Sequence, residues 1–133
     1  MKILLITSSF PYKDSIAGMF IPDTIRALNG RGVQVHVLTQ NCDNPRTIRA
    51  SLWPGCDVTW FGWHGGNTPL VELIHRRIFG IFLVGQYLFN GFFAGRRICR
   101  TWQPDIIFAE WLIPAGFIAR ILSIFSGIPY ACR

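Results

Sequence analysis

Acidic residues are scarce in this sequence, and its cysteines and histidines are dispersed. Only 7 of the 133 residues are Asp or Glu, against 13 Lys or Arg, so the formal net charge is +6. The four cysteines lie far apart and form no CxxC pair, which argues against zinc-ligand and thioredoxin-type spacings. His36, His64 and His75 are equally scattered. We therefore expect no metal site and no catalytic triad, with the cysteines as buried thiols in a reducing compartment.

Two glycine-rich sequence motifs of nucleotide-binding proteins are also absent. The sequence contains no GxGxxG, and no acidic residue follows the second apolar strand at Leu38-Thr39-Gln40, which argues against a dinucleotide-dependent oxidoreductase. A GxxxxGK[ST] phosphate loop is missing too. The positive charge suits phosphate-bearing ligands, nucleic acid or an anionic membrane surface. Because the basic residues are not interleaved with aromatics as in nucleic-acid-binding modules, we expect no nucleic-acid partner.

Apolar residues make up half of the chain, enough for a buried core in a protein of single-domain size. The N-terminal apolar run, Ile3–Ile6, is shorter than the roughly 7–15 residues of a secretory signal. We therefore expect the protein to stay in the cytoplasm. The last apolar run, Ile128–Cys132, ends with the chain inside a predicted strand, which suggests a truncated domain.

Apolar runs separated by glycine and proline predict alternating strands and helices. The predicted strands cover residues 3–6, 33–39, 56–63, 106–109 and 128–132, with an irregular polar stretch from Asn41 to Pro54. Ile21, Ile25 and Leu28 predict a first helix, and residues 114–125 predict another that Gly127 ends. This alternation is typical of right-handed crossovers. The predicted fold class is α/β, a Rossmann-like parallel sheet flanked by helices, with ligands at the carboxyl ends of the strands.

An uncharged apolar segment runs from Ile78 to Gly95 between two pairs of arginines. As a helix it would cover roughly 27 Å, slightly less than a bilayer's hydrocarbon core. Three interpretations stay open: a core helix packed on the sheet, a helix lying on an anionic membrane surface, or a membrane span, which fits poorly between strands of one sheet. Gly91 and Gly95 form a GxxxG, weak evidence for helix association. The residues predicted to contact the membrane are Arg76, Arg77, Arg96 and Arg97.

Two stretches of the sequence carry a family resemblance. KILLITSSFPYKDSIAGMFIPDTIRALNGRGVQVHVLT contains an apolar strand, a Phe-Pro loop, a glycine turn, an RAL helix and an RGxxVxVLT strand. PDIIFAEWLIPAGFIARILSIFSGIPY follows in the right order. Together they resemble glycosyltransferase family 4, whose members have the two-domain GT-B architecture. The resemblance implies that residues 1–133 form the N-terminal, acceptor-binding Rossmann-like domain and that the donor-binding domain is absent.

The resemblance points to two groups of substrate-binding residues. Gly18 would let backbone N–H groups approach a diphosphate, with an added backbone contact from Met19, or Gly18 would simply form the turn. Glu110 stands where the family often has a histidine. Its carboxylate would accept hydrogen bonds from sugar hydroxyls or act as a base, or it would be a solvated loop carboxylate. Trp111 would stack on a sugar ring or pack under its loop, and Gly116 belongs to the same loop.

By this resemblance the full-length protein is a glycosyltransferase that transfers a sugar from a nucleotide-sugar donor to a sugar or lipid-linked acceptor in polysaccharide biosynthesis. The nucleotide sugar is a co-substrate, and no cofactor is expected. The catalytic residues are unknown because the family's histidine-bearing loop would follow Arg133. We expect the chain alone to be inactive and to need a C-terminal domain, supplied in cis or by another chain. We expect the protein to work at the inner face of the membrane. The alternative is a non-catalytic, membrane-associated Rossmann-like binding protein.

Overall fold

The computed structural model describes residues 1–11, 18–41, 49–66, 72–73 and 77–133. In chain order these form β1 (Lys2–Thr7), α1 (Phe20–Asn29), β2 (Gln34–Asn41), β3 (Arg49–Trp53), β4 (Cys56–Gly62), α2 (Arg77–Thr101), β5 (Ile106–Glu110), α3 (Phe117–Ser126) and β6 (Tyr130–Cys132). A single wide helical turn, Leu112–Gly116, leads into α3. Helices connect most of the strands, as the crossovers of a parallel sheet require.

The six described strands form one sheet in the order β3-β4-β2-β1-β5-β6. β1 pairs parallel with β2 on one side and with β5 on the other, and the β2–β4 and β5–β6 pairs are parallel too. Leu4, Leu5 and Ile6 of β1 are all buried, because helices cover both faces of the sheet. The predicted α/β class with a Rossmann-like parallel sheet is therefore confirmed.

The prediction of an irregular stretch up to Pro54 is wrong at its C-terminal end. Arg49–Trp53 forms β3, which pairs antiparallel with β4 at the edge of the sheet. Trp53 lies opposite Cys56, so Pro54 and Gly55 form a two-residue hairpin loop in which Gly55 has a φ of +89°. An edge strand of five residues can form with few apolar positions. The polar residues that precede β3 therefore led us to predict an irregular stretch here. Residues 42–48 of the same stretch lie outside the described residues.

Two hydrophobic clusters lie on opposite faces of the sheet. α1 covers one face and contributes Ile21 and Ile25 to its cluster. α2 and α3 together cover the other face. Their main contributions to that cluster are Leu83, Tyr87, Ala94, Ile98, Ile118, Ala119 and Leu122.

α2 approaches its neighbours closely at two glycines. A Cβ atom on Gly91 would lie 2.7 Å from Ile118 Cδ1, and one on Gly95 would lie 2.5 Å from Leu122 Cδ1. Both glycines therefore face α3 inside the domain. The interpretation of this GxxxG as a site of helix association with another chain has no support in this packing.

Two polar side chains of α2 hold the helix against the end of β4. The Asn90 side-chain amide donates a hydrogen bond of 2.7 Å to the Gly62 carbonyl oxygen. The His64 backbone N–H donates one of 3.0 Å to Gln86 Oε1. These residues interrupt the apolar sequence because they face β4 and the loop that follows it, so α2 is a layer of this domain.

The helix predicted for residues 114–125 begins at Phe117. Ile113 precedes a proline and has the extended φ and ψ of −129° and 128° that such residues prefer. The wide turn is then closed by a 3.0 Å hydrogen bond from the Gly116 N–H to the Trp111 carbonyl oxygen. Gly127 ends α3 as predicted, with a φ of +72°.

The prediction of buried thiols is correct for Cys56 and Cys99 and wrong for Cys132, which is exposed. Cys42 lies outside the described residues. Burial raises the pKa of Cys56 to about 11 and also raises the pKa of Cys99. Because the thiolate is the reactive form, both buried cysteines are poor nucleophiles at neutral pH.

His36 is a structural residue of β2. Its Nε2 lies 2.8 Å from Thr59 Oγ1, and its ring meets the ring of Trp102 edge-on at 5.3 Å between centroids. Burial lowers the pKa of His36 below its ordinary value of 6.5, although nearby Asp57 acts in the opposite direction. The folded protein therefore favours the neutral imidazole.

We expect this burial to make the protein less stable in mild acid. Since the pKa of His36 is lower in the folded state, the unfolded chain binds the proton first, and the free energy of unfolding falls as the pH drops below 6.5. Urea denaturation at about pH 7.5 and about pH 5.5 measures this difference. His36→Gln should reduce the difference, whereas His64→Gln, in an exposed loop, should keep it. Equal pH dependence in both variants would contradict the assignment.

Candidate functional site

The carboxyl ends of β1 and β5 lie side by side and form one edge of the sheet. Thr7, the last residue of β1, is in register with Thr39 of β2 on one side and with Glu110 of β5 on the other. The prediction that the loops after these strands open onto a shared edge is confirmed by this parallel register. We call this edge, with Gly18–Phe20, Glu110–Gly116 and Arg133 beside it, the carboxyl rim.

Gly18 packs directly against the loop that follows β1. Its φ is +76°, and a Cβ atom at this position would lie 2.1 Å from the Ser9 carbonyl oxygen. The Gly18 carbonyl oxygen accepts a 2.9 Å hydrogen bond from the Ile21 N–H, which begins α1. Glycine is therefore required here to bring the start of α1 against the end of β1. This placement supports the turn-forming role and leaves the diphosphate role a prediction.

Met19 directly precedes α1 and forms no side-chain cap, and its side chain is exposed. The positive end of a helix dipole therefore lies at the carboxyl rim, next to the end of β1. The predicted backbone contact of Met19 with a ligand fits this position.

Glu110 is buried in an ion pair, which corrects the interpretation as a solvated loop carboxylate. Only 3% of the residue is exposed. Arg133 binds both carboxylate oxygens: its Nη2 lies 2.9 Å from Oε1 and its Nε lies 3.2 Å from Oε2. Such a two-pronged pair orients the carboxylate firmly and uses part of its capacity to accept hydrogen bonds. Glu110 therefore has fewer lone pairs for sugar hydroxyls than a free carboxylate.

Arg133 links three elements of the carboxyl rim. It follows β6, its backbone N–H donates to the Ala109 carbonyl oxygen at 3.0 Å, and its carbonyl oxygen accepts from the Trp111 N–H at 2.9 Å. Its guanidinium also lies over the ring of Phe20 in α1, 5.6 Å from the centroid. The sequence-based prediction missed this residue, although Arg133 directly follows β6, whose last residue is in register with Ala109 beside Glu110.

Trp111 is half-exposed and does not pack under its loop. Its φ is +78°, a conformation that non-glycine residues adopt uncommonly, and 51% of the residue is accessible to solvent. Leu112, Ile113 and Phe117 next to it are exposed as well. The indole is thus accessible to a sugar ring, and its predicted stacking role fits the structure without being tested by it.

Gly116 is buried beneath this apolar surface. A Cβ atom there would lie 2.9 Å from Cys132 Sγ and 3.3 Å from the Trp111 carbonyl oxygen. Its place is therefore explained by close packing, and a direct substrate contact remains a prediction. Thr39 of β2, in register with Thr7, is almost fully buried, and its hydroxyl has no hydrogen-bond partner in the described part of the chain.

No group of metal-binding side chains occurs among the residues that the structure describes. Of the scattered histidines, His36 belongs to the core and His75 lies outside the described residues. The ring of His64 lies at the end of β4 with its Nδ1 within 2.9 Å of Gln86 Oε1.

A second exposed surface runs along α2, on the helix face turned away from the sheet. Its apolar members are Ile78, Phe79, Ile81, Phe82, Phe89 and Phe93, all at least half-exposed. Arg96 is half-buried and Arg97 is exposed, and both follow this row toward the C-terminal end of the helix. Arg76 and the side chain of Arg77 lie outside the described residues. We call this surface the aromatic row.

Over residues 78–101, α2 is also long and apolar enough to span a membrane, and 33% of its most apolar 18-residue segment is buried inside the domain. The interpretation as a core helix packed on the sheet therefore describes only one face of α2. One face packs on the sheet through Gly91 and Gly95, and the other face exposes large apolar side chains.

A family model described as "Glycosyl transferase 4-like domain" matches residues 17–133 of this chain. Among curated proteins, none matches the sequence significantly.

Solved structures share this fold at low sequence identity. Sucrose-phosphate synthase from Thermosynechococcus elongatus superposes with a TM-score of 0.62 at 15% identity, covering 98% of this chain and 31% of that one. The glycosyltransferase SsfS6 from Streptomyces sp. SF2575 gives 0.59 at 16% identity, covering 99% and 38%. The C-terminal domain of a hydrogenase from Pyrococcus furiosus gives 0.54 at 12% identity, covering 98% and 89%.

These structural likenesses establish the fold alone, because the identities are low and one of the matched proteins is a hydrogenase. The chain spans between 31% and 38% of the length of the two sugar-related structures.

Proposed function

Because the chain belongs to the family of glycosyl transferase 4-like domains, we propose that it is the acceptor-side domain of an enzyme that transfers a sugar from a nucleotide-sugar donor. The observation that carries this proposal is the carboxyl rim, where the start of α1, the Glu110–Arg133 pair and the exposed Trp111 meet. Ligands of open parallel sheets bind at this edge. The nucleotide sugar is a co-substrate, and the proposal requires no cofactor.

Each part of the rim suits one part of a sugar-transfer substrate. The uncapped start of α1 suits an anionic diphosphate. The half-exposed indole of Trp111 suits the apolar face of a sugar ring. The Glu110–Arg133 pair offers a fixed carboxylate, and the exposed Arg133 side chain offers donors for hydroxyl or phosphate oxygens.

We infer that transfer needs a second domain over the rim, supplied in cis or by another chain. In this proposal the described domain contributes acceptor contacts, and the donor is held mainly by the other domain. The exposed apolar side chains of Leu112, Ile113 and Phe117 beside Trp111 provide a surface for such a closure.

A membrane-linked acceptor is the finer part of the proposal. The aromatic row of α2 and the basic balance of the chain support contact with the anionic inner face of a membrane, where a lipid-linked or growing polysaccharide acceptor would reside. The proposed location is therefore cytoplasmic and peripheral.

Two measurements on the isolated chain test the proposal. We expect no release of nucleoside diphosphate from UDP-glucose, UDP-N-acetylglucosamine or GDP-mannose above the buffer rate, because the proposed donor-binding domain is not among the 133 residues tested. We also expect weak binding of monosaccharide and disaccharide acceptors, detected as shifts of the Gly18 amide and the Trp111 indole in a nitrogen–proton correlation spectrum.

Trp111 supplies a matched pair of variants for the binding measurement. Trp111→Phe keeps an aromatic face and should retain binding, whereas Trp111→Ala should weaken it by about tenfold, the effect of losing one stacking contact of roughly 1.4 kcal/mol. Shifts confined to residues far from the rim would overturn the acceptor site. Release of nucleoside diphosphate by the isolated chain would overturn the need for a second domain.

A further inference from the structure

A pocket of about 320 Å³ opens at the edge of the domain opposite the carboxyl rim. It lies between the last turns of α2 and α3, and Arg96, Cys99, Arg100, Gln103, Phe125 and Ile128 are among its lining residues. Arg96 and Arg100 are four residues apart and therefore lie on the same face of α2, one turn from each other. Both cations thus line one opening that is larger than a phosphate group.

The charged side chains that line this pocket, Arg96 and Arg100, have one sign. No acidic residue occurs between Glu72 and Asp105, whereas that interval holds five arginines. Within the described residues neither Arg96 nor Arg100 forms an ion pair with a carboxylate. Arg100 lies in the last turn of α2, where a cation also suits the helix dipole. That role does not explain Arg96, whose guanidinium lies 5.8 Å from the ring centroid of Phe125 in the pocket wall.

The pocket is continuous with the aromatic row. Phe125 contacts Phe92 at 5.5 Å between centroids, Phe92 contacts Phe93 at 5.3 Å, and Phe93 contacts Phe89 at 4.5 Å. Phe89, Phe93 and Phe125 are each at least half-exposed. An uninterrupted apolar surface therefore leads from the arginines along α2.

We propose that the Arg96–Arg100 pocket binds the phosphate of an anionic phospholipid and that the aromatic row lies against the acyl region of the same bilayer. An exposed apolar surface with cations at its end matches an anionic lipid, whose charge and hydrocarbon lie next to each other. This inference rests on the membrane contact in the proposed function and assigns it a specific headgroup site.

The proposal also fixes how the domain would sit on the membrane. Gln86 contacts the loop after β4, so residues 78–85 extend beyond that level by roughly 12 Å on the side of the carboxyl rim. The opposite end of α2 lies near the start of β1, where Lys2 Nζ donates to the Trp102 carbonyl oxygen at 3.1 Å. A bilayer along α2 would thus reach from the headgroup pocket to the neighbourhood of the rim, where a membrane-linked acceptor could enter.

Vesicle sedimentation tests this site with the full 133-residue chain. In about 0.1 M NaCl, we expect binding to vesicles with about 30% phosphatidylserine in phosphatidylcholine and little binding to pure phosphatidylcholine. Arg96→Ala/Arg100→Ala should lower the partition coefficient about tenfold. The control Arg26→Ala/Arg31→Ala removes the same charge from the end of α1, on the other face of the sheet, and should change it less than about twofold. Circular dichroism confirms that both variants stay folded.

Each remaining outcome separates the headgroup site from the broader proposal. Equal losses in the two double variants would overturn the pocket and leave a general electrostatic attraction. Binding that survives Phe82→Ser/Phe89→Ser unchanged would overturn the role of the aromatic row. Chemical shifts of the Arg96 and Arg100 side chains with glycerol phosphate, without sedimentation on vesicles, would replace the lipid by a free phosphate ligand. A dimer in sedimentation velocity that Phe82→Ser/Phe89→Ser abolishes would assign the row to a second copy. None of these results depends on sugar transfer.

Discussion

Replacing Gly18 with alanine is expected to lower the free energy of unfolding by about 3 kcal/mol or more. The positive φ alone costs a non-glycine residue about 1–2 kcal/mol. The new Cβ atom would also lie 2.1 Å from the Ser9 carbonyl oxygen and 2.8 Å from the Ser9 carbonyl carbon. Because both atoms belong to the backbone, the clash is relieved only if the start of α1 moves away from the end of β1. Urea denaturation followed by circular dichroism measures the loss.

Gly32 provides a matched control for this substitution. Its φ is +75°, almost the same as that of Gly18, but nothing lies within 4 Å of the position that a Cβ atom would occupy. Gly32→Ala should therefore cost only the conformational part, about 1–2 kcal/mol. Equal losses at the two positions would mean that the contact with Ser9 does not hold α1 in place.

Replacing Arg133 with alanine should destabilise the protein by about 2 kcal/mol, which is less than the loss of a partner in a fully buried pair. Glu110 would lose the cation that binds both of its carboxylate oxygens, at a site where only 3% of the residue meets solvent. Arg133 itself is exposed over 61% of its side chain, so water would replace part of the lost interaction. Arg133→Ala should also free Phe20 from its cation contact.

A double-mutant comparison isolates the buried carboxylate. Adding Glu110→Gln to Arg133→Ala should recover part of the lost stability, because a neutral amide is less costly to bury than an unpaired charge. Arg26→Ala removes the partner of Asp23 in an ion pair whose two side chains are both mostly exposed, and it should cost less than about 1 kcal/mol. If Arg133→Ala costs no more than Arg26→Ala, the pair does not organise the rim.

The position of the rim could be predicted from the sequence, but its electrostatics could not. Apolar strands separated by helices required parallel pairing, and parallel pairing places the ends of β1 and β5 at one edge. The burial of Glu110 depends on a cation 23 residues further along the chain, and nothing local to Glu110 indicates that partner. The positive φ of Trp111 likewise arises from the wide turn that follows it.

The orientation of α2 could not be predicted from the periodicity of its sequence, for a different reason. Apolar residues occur on every side of this helix, so no pattern distinguished the face that packs on the sheet from the exposed one. The deciding signals are small: Gly91 and Gly95 mark where α3 approaches, and Gln86 and Asn90 mark the end of β4. β3 was missed because it is only five residues long, three of them apolar, and follows a mostly polar stretch.

The two ends of α2 differ in how much the rest of the domain constrains them. Toward its C-terminal end, the close approach at Gly91 and Gly95 leaves no room for larger side chains. Toward its N-terminal end, a Cβ atom at Gly85 would meet nothing within 4 Å, and Ile78 and Phe82 are exposed. Evolution can therefore vary the first turns of this helix at little cost to folding, so related proteins can acquire different docking partners there while keeping the same fold.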